Sequence, residues 1–595
     1  MVKLAHRSRK SGHRAREKGW RAREMSPLVQ EMGGPSHEPA NLAPGMASLV
    51  RELLLRNSWS GRSACWQDPW RMRSDTAWLV LCGSLAGCAS AAPLPPPRQP
   101  RCDTPMQPAA TPVPASASVD PGAPATPTFN PAPWVADLDA LVVAISSHYA
   151  NLDYAISARQ MDLAALRTRT EARLRAAKSD EQAKRAFRSF LRAFGDGHLS
   201  IDWTASEPAA KTAAPAAPTG PLCARLGYEA GDPGGVDFAR VTSTFTPIQD
   251  GDSADIPGGV LVLPGGHRLG VLRIALFSGE PHPRLCEEAR TALGLADDAI
   301  CDDECANRLA DEVSNRLTAA LERRAKSLAS AHVEAVLVDI TGNGGGSDWV
   351  DAAVRVVTPV KLEQRAVGAV RHEHWVKDLG DRLHDLKSDL AEHGDLPGHP
   401  IASAIDVLQA EIDEVKTPCD KSAIWQPGQA KPSCSQLVRV LPVIPYAKPG
   451  ELAARPTRDL LFGPSRFAYH EGVNVLPLAV LVDGNTASAA EDFVELLQDH
   501  HAATIVGAPT VGAGCGYTNG GIPTVLPNSG ARVRMPDCAR FRADGSNAVA
   551  GVTPDVVLPL LDRDSPYQRA KKVIAGLGSA WGRIVGRTEQ RDARR

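Results

Sequence analysis

Two stretches of this chain carry residue types at spacings that could do chemistry. In VLVDGNTASAAEDFVELLQDH an apolar run ends at Asp483, Gly484 and Asn485 turn the chain, and Ala490, Phe493, Leu496 and Leu497 then recur at helical spacing. Ser488 therefore falls at a strand-to-helix corner. A hydroxyl held there sits beside the positive end of a helix dipole and its free backbone N–H groups, which stabilise a developing oxyanion. Ser488 to Glu491 is equally an S-x-x-E capping box, the ordinary structural use of such a pair. In VEAVLVDITGNGGGSDW an apolar run leads directly into Gly342, Asn343, Gly344, Gly345 and Gly346, a backbone loop able to aim N–H groups at an anion. The rival use is a phosphate cradle, but Ser347 replaces the third glycine of a dinucleotide fingerprint and no Lys-Ser/Thr pair completes a Walker loop.

The elements that must position these residues are legible as alternating strand and helix signals from Cys223 to about Leu560. Several strands are continuous apolar runs, as expected where a sheet is covered on both faces, so the fold class is α/β. The clearest strands are 270–274, 335–340, 478–482 and 503–506. Upstream, a helical region begins near Trp134. Its last helix is marked by Ser179 and Gln182 as a capping box, by Phe187, Phe190, Leu191 and Phe194 on one face, and by Gly195 as the stop; His198 follows at once. The expected organisation is an extension over 1–71, a signal over 72–88, a Pro/Ala-rich tether over 89–132, a helical cap over 133–205, a catalytic domain over 220–565 with a charged helical insertion over 351–446, and a C-terminal helix with a basic tail over 566–595.

Composition excludes some function classes. With 66 basic and 68 acidic residues there is no basic excess for nucleic acid. Twelve cysteines, none in C-x-x-C spacing, read as disulfides in an oxidising compartment rather than as a zinc or redox site. Cys515 with Cys538 and Cys419 with Cys434 are the expected pairs, which assigns Cys515 to a disulfide and not to a nucleophile. His372-Glu373-His374 and Asp499-His500-His501 lack the spaced pattern of a metal site, and alternating residues on a helix point apart. Neither metal nor cofactor is implied.

The motifs taken together resemble the tail-specific (C-terminal-processing) proteases and the tricorn protease core. FGDGHLS is similar to the family's L-G-D-x-H-T, DITGNGGG to D-L-R-x-N-x-G-G, GNTASAAEDF with ATIVGAPTVGAG to G-S-A-S-A-S-E with V-G-E-P-T-F-G-K-G, and GVTPDVVLP to G-I-x-P-D-V. The four occur in the family's order over roughly 134–560. The resemblance implies a crotonase-like core, Ser488 as nucleophile, and Gly345 with the N–H of Ala489 as oxyanion hole. The tail-specific branch activates its serine with a lysine in G-K-G, and here that position is Ala513. The tricorn-like branch uses a histidine from the early motif, which is His198, an imidazole whose ordinary pKa near 6.5 suits a general base. A capping or solvated loop histidine is the bland use. Tricorn also places a serine before that histidine and a glutamate downstream; here Gly197 stands in the first place and DGSNAVAGV supplies no glutamate, leaving Asp196 and Asp544 as candidates to orient the base. No PDZ-like pattern occurs over 206–260.

MRSDTAWLVLCGSLAGC, from Met72, is similar to a bacterial lipoprotein signal: Arg71 and Arg73, a short apolar run, and Leu85-Ala86-Gly87-Cys88. This implies translation from Met72, lipidation of Cys88, and, with Ala89 next, anchoring at the periplasmic face of the outer membrane, with secretion as the alternative. The expected protein is a serine peptidase acting on polypeptides in the cell envelope. The alternative is an inactive peptide-binding lipoprotein on the same fold.

Overall fold

A computed structural model describes residues 129–203 and 220–592, apart from residues 399, 418, 420, 429–431, 433, 441, 518–523 and 562. The expected signal and Cys88 lie outside the described residues. Thirteen strands are assigned among them: β1 (Ser200–Asp202), β2 (Phe245–Pro247), β3 (Gly258–Val262), β4 (Arg268–Arg273), β5 (Ala335–Asp339), β6 (Val367–Val370), β7 (Leu437–Val440), β8 (Leu478–Val482), β9 (Thr504–Gly507), β10 (Thr524–Val525), β11 (Arg532–Arg534), β12 (Cys538–Arg540) and β13 (Val556–Val557). Seven form one sheet in the order β13-β9-β8-β5-β4-β3-β2, parallel from β13 to β4 and antiparallel at β3 and β2. The chain is thus a mixed α/β structure.

The four strands expected from continuous apolar runs are all present, within two residues at each end. Their continuity follows from burial on both faces: every residue of β5 and of β8 is buried. One face of the sheet packs on the long helix Asp303–Ser330 through Leu309, Val313, Leu317, Leu321 and Leu328. The other packs on the helix Pro566–Asp592 through Val573, Leu577, Trp581 and Ile584.

Ahead of the sheet come α1 (Ala132–His148), α2 (Leu152–Ser157), α3 (Leu163–Arg175) and α4 (Asp180–Arg192). Phe187, Phe190, Leu191 and Phe194 are buried together with residues of α1 and α3, as their spacing predicts. Gly195 ends the run with φ +59°. The capping box closes differently from expectation. Gln182 Oε1 accepts the N–H of Lys178 at 2.8 Å, one residue before Ser179. After His198 the chain enters β1, which pairs with β11 in a small sheet, β1-β11-β10.

The charged stretch 351–446 holds two packed helices, His374–His393 and Ile401–Val415, but it is not purely helical. β6 and β7 flank the helices and pair with each other, and β12 adds to β6. Short strands of four residues in a charged context gave no period to read.

Candidate active site

Ser488 is the residue immediately before the helix Ala489–Asp499, at the end of a sharp turn from β8. Its backbone has φ +57° and ψ −121°, a conformation L-residues rarely adopt. Such a dihedral costs of order 1–3 kcal/mol and persists only where the surroundings over-determine it. Two features do so. The N–H of Ser488 donates to Glu491 Oε2 at 3.0 Å, and the glycine loop presses on it from below. A Cβ on Gly345, whose φ is +111°, would lie 2.7 Å from Ser488 Cβ and 3.0 Å from the amide nitrogen of Ala489. Only a residue without a side chain can lie there.

The glycine loop is fixed by polar contacts. Asn343 Nδ2 donates to the carbonyl of Ile274 at 3.0 Å, and its Oδ1 accepts the N–H of Gly345 at 2.9 Å. The backbone of Gly345 therefore adjoins Ser488 and Ala489 while its own N–H is engaged by Asn343. Ala487 N–H donates to the carbonyl of Asn343 at 3.0 Å, which ties the loop to the serine corner.

Glu491 is fully buried and does more than cap the helix. Its Oε1 accepts Thr510 Oγ1 at 2.5 Å and the N–H of Gly512 at 2.7 Å, and its Oε2 accepts the N–H of Ala513 at 2.8 Å as well as that of Ser488. One carboxylate thus holds the serine corner and the Thr510–Ala513 loop in a fixed relation.

That loop receives His198. Gly197 N–H donates to the carbonyl of Gly512 at 3.0 Å, and His198 Nδ1 lies 2.6 Å from the carbonyl oxygen of Ala513. A carbonyl only accepts, so Nδ1 carries the hydrogen and Nε2 of the neutral ring keeps its lone pair. The ring lies over Gly516, whose Cβ would stand 3.3 Å from Cε1 and Nε2. Tyr517 packs edge-on at 5.5 Å between ring centroids, and its hydroxyl donates to the His198 carbonyl. Ser488 and His198, 290 positions apart in sequence, are therefore connected by three hydrogen bonds: Ser488 N–H to Glu491, Ala513 N–H to Glu491, and His198 Nδ1–H to the Ala513 carbonyl.

Neither aspartate candidate holds the imidazole. Asp196 is buried, and its Oδ1 accepts the backbone N–H of His198 at 2.9 Å while Oδ2 accepts Tyr149 Oη at 3.0 Å and Asn151 Nδ2 at 2.8 Å. Burial pushes its carboxyl above the usual range, against the hydrogen bonds from Asn151 and His198. Asn151 is held in turn by Asn547 Nδ2 at 2.9 Å. Asp544 is exposed and caps the N–H of Ser546. The ring's partner is a main-chain carbonyl, which no side-chain motif could announce. The role of Glu491 was foreshadowed by the S-x-x-E spacing; its reach to Gly512 and Ala513 was not.

Both expected disulfides are present, Cys515–Cys538 and Cys419–Cys434, with Cα separations of 5.5 and 6.1 Å. Cys223–Cys286 and Cys301–Cys305 are two more that the spacing did not single out. His372 and His374 do not point apart, because His372 lies in the turn before its helix; their Nδ1 atoms are 3.1 Å apart. Among the described residues no group of three or more histidine, cysteine or acidic side chains is arranged to hold a metal ion, and no helix is long and apolar enough to cross a membrane.

Several known proteins are similar to parts of this chain. Mature CPAF complexed with lactacystin is similar over 77% of this chain and 99% of its own, at 15% identity and a TM-score of 0.47. A peptidase-like structure from Parabacteroides merdae matches over 75% and 96%, at 13% identity and a TM-score of 0.37. A carboxy-terminal-processing protease from Bartonella bacilliformis is 31% identical over 117 residues, 19% of this chain, and the match spans a quarter of that relative's length. Residues 309–558, which contain Gly345, Ser488, Glu491 and Ala513, match the model of Peptidase family S41.

Proposed function

We propose that the protein is a serine peptidase that cleaves polypeptides through an acyl-enzyme on Ser488, with His198 as general base. The observation that carries this reading is the bonded path from Ser488 through Glu491 and Ala513 to His198. The Nδ1–H tautomer leaves Nε2 to take the proton of Ser488 Oγ as the oxygen attacks the scissile carbonyl carbon. The N–H of Ala489, at the helix start, stabilises the resulting oxyanion, while Gly345, whose own N–H is bonded to Asn343, contributes the side-chain-free space beside it. His198 then returns the proton to the leaving amine, and water hydrolyses the acyl group by the same route. The histidine base in place of a lysine is the feature of the tricorn-like branch, and the crotonase-like core and helical cap are part of the same reading. An envelope location, with the chain anchored through lipidated Cys88, rests on the signal-like segment and agrees with four disulfides among the described residues.

A second reading is an inactive peptide-binding protein on the same fold. The observation favouring it is that Gly345 N–H is donated to Asn343 and is not free for an oxyanion. Labelling by a fluorophosphonate separates the two. Under the peptidase reading the wild type is labelled at Ser488, Ser488→Ala is not, and His198→Ala is labelled orders of magnitude more slowly. The losses in peptide cleavage of the single and double variants do not add, since nucleophile and base act as a unit. Rapid labelling of His198→Ala refutes the assignment of the base, and no labelling of folded wild type favours the inactive protein. Mass spectrometry of the mature N-terminus tests the anchor: peptides from 1–71 in the mature product contradict it.

A further inference from the structure

The segment Ala513–Tyr517 makes every described contact of the His198 ring and takes its carbonyl as well: the carbonyl of Ala513 lies on Nδ1, Gly516 under the ring, and Tyr517 on the ring edge and the His198 carbonyl. Nothing in the segment's own sequence, Ala-Gly-Cys-Gly-Tyr, would hold it still, because two glycines in five residues make it conformationally permissive. Gly514 adopts φ +52°, which only such a residue takes cheaply. At one end Glu491 fixes the N–H of Ala513. At the other, Cys515 is bonded to Cys538, and the N–H of the adjacent Asp537 donates to the carbonyl of Gly516 at 3.2 Å. Cys538 is the first residue of β12, fully buried and paired to β6, while the carbonyl of Asp537 accepts Val370 N–H at 2.8 Å and Trp375 Nε1 at 3.2 Å. The disulfide thus ties a glycine-rich loop to a sheet that is itself fixed.

We infer that the Cys515–Cys538 disulfide is a positioning element for the base: it holds Ala513–Tyr517 as a template that sets the tautomer and ring plane of His198. The inference rests on the reading of His198 as base. It goes beyond that reading in assigning the orienting role, which lacks an acidic side chain here, to a main-chain carbonyl held by a covalent cross-link. Displacing a reacting group by about 1 Å can cost roughly a hundredfold in rate, so a loosened template is visible kinetically without loss of the fold.

The test compares Cys515→Ala/Cys538→Ala with Cys223→Ala/Cys286→Ala. The second pair is also buried and cross-linked, and it is remote in contacts from His198. The rate of fluorophosphonate labelling at Ser488 and the imidazole 15N shifts of His198, assigned by difference with His198→Gln, are read at a temperature where both variants are folded. Removing Cys515–Cys538 is expected to slow labelling about a hundredfold and to abolish the Nδ1–H shift pattern, with the Cys223–Cys286 control retaining both. Labelling at the wild-type rate with an unchanged tautomer, or an equal loss in the control, overturns the inference. Gly516→Ala, with the disulfide intact, supplies a variant that does not depend on the double substitution: its Cβ meets Cε1 and Nε2 at 3.3 Å, so slower labelling with an unchanged unfolding midpoint is expected, and wild-type labelling counts against the template. Rapid labelling of His198→Ala overturns the base assignment itself, whereas slow labelling there with unaffected disulfide variants overturns only the positioning role.

Discussion

Replacing Glu491 by glutamine removes almost no volume and isolates the carboxylate's hydrogen bonding. In the native structure each oxygen accepts two donors: Oε1 takes Thr510 Oγ1 and Gly512 N–H, Oε2 takes Ser488 N–H and Ala513 N–H. The amide of glutamine must turn an NH2 toward one of these pairs. Facing Ser488 and Ala513 it would confront two fixed backbone donors. Facing Thr510 and Gly512 it confronts only one, since the threonine hydroxyl can rotate and accept. The cheaper orientation therefore loses one charge-assisted bond, worth ~1.5–3 kcal/mol, and leaves the buried Gly512 amide unpaired at a further ~1–3 kcal/mol. Weakening of the remaining bonds by the lost charge adds to this, so Glu491→Gln is expected to destabilise by ~3–6 kcal/mol. Gly512 also holds Gly197 through its carbonyl, so the loop carrying His198 loosens and serine reactivity falls roughly ten- to a hundredfold. Thermal unfolding and fluorophosphonate labelling at a temperature where the variant is folded measure the two effects. A variant with wild-type unfolding and wild-type labelling would refute the reasoning, because a fully buried carboxylate with four donors cannot be neutralised silently.

Two further outcomes follow from named contacts. Gly345→Ala places a Cβ 2.7 Å from Ser488 Cβ at φ +111°, so it is expected to lower stability by ~1–3 kcal/mol and labelling by about a hundredfold, whereas Gly344→Ala, which meets nothing within 4 Å, keeps native stability; equal unfolding midpoints for the two variants would contradict this. His148, which bonds Thr524 Oγ1 and faces His372 and His374, is held from 6.5 down to about 4 by burial and then by those two rings, and burial also lowers His372. The unfolded chain therefore binds protons that the folded one refuses, and stability present above pH 6.5 is lost as pH falls toward 4. At ~1.4 kcal/mol per unit, discounted because the ring is partly solvated, His148 contributes ~1–2 kcal/mol of that loss. His148→Gln should flatten the acid limb of the unfolding midpoint between those limits, and an unchanged limb would exclude His148 as its source.

How much of this was legible in the sequence depended on whether a residue's partner was a pattern or a single atom. The main-sheet strands were readable because burial on both faces demands unbroken apolar runs, as in Ala335–Asp339 and Leu478–Val482. The Ser488 corner was readable because strand, turn and amphipathic helix each leave a period. β6 and β7 were not, since each is four residues long and their pairing partners lie 67 to 73 residues apart, with helices between. The orientation of His198 was unreadable for another reason. Its ring partner is the carbonyl of Ala513, and a main-chain carbonyl is present at every position, so nothing in the residue types marks one as special. The pairing of His372 and His374 was misjudged because a helical period was applied one turn too early, where the chain is still in the preceding loop.

The two departures from the related motifs, Gly197 before the histidine and Ala513 at the lysine position, have one physical cause. A Cβ on Gly197 would lie 2.8 Å from Val511 Cγ1 and 3.2 Å from Ala513 Cβ, so the His198 loop fits against the Val511–Ala513 segment only because both sides are small. Ala513 is 2% exposed, which leaves no volume for a longer side chain at that position. A lysine there would have to push four methylenes and a charge into the space filled by Gly197 and His198, an overpacking that cores resist by shifting backbone. The displaced element would be the histidine loop itself, along with the contact between Nδ1 and the Ala513 carbonyl. On the proposed reading, a lysine at position 513 and the observed seat of the His198 loop compete for the same space. The alanine on that reading does not signal lost chemistry: it admits the His198 loop against the Val511–Ala513 segment, and its carbonyl accepts the Nδ1–H of the ring.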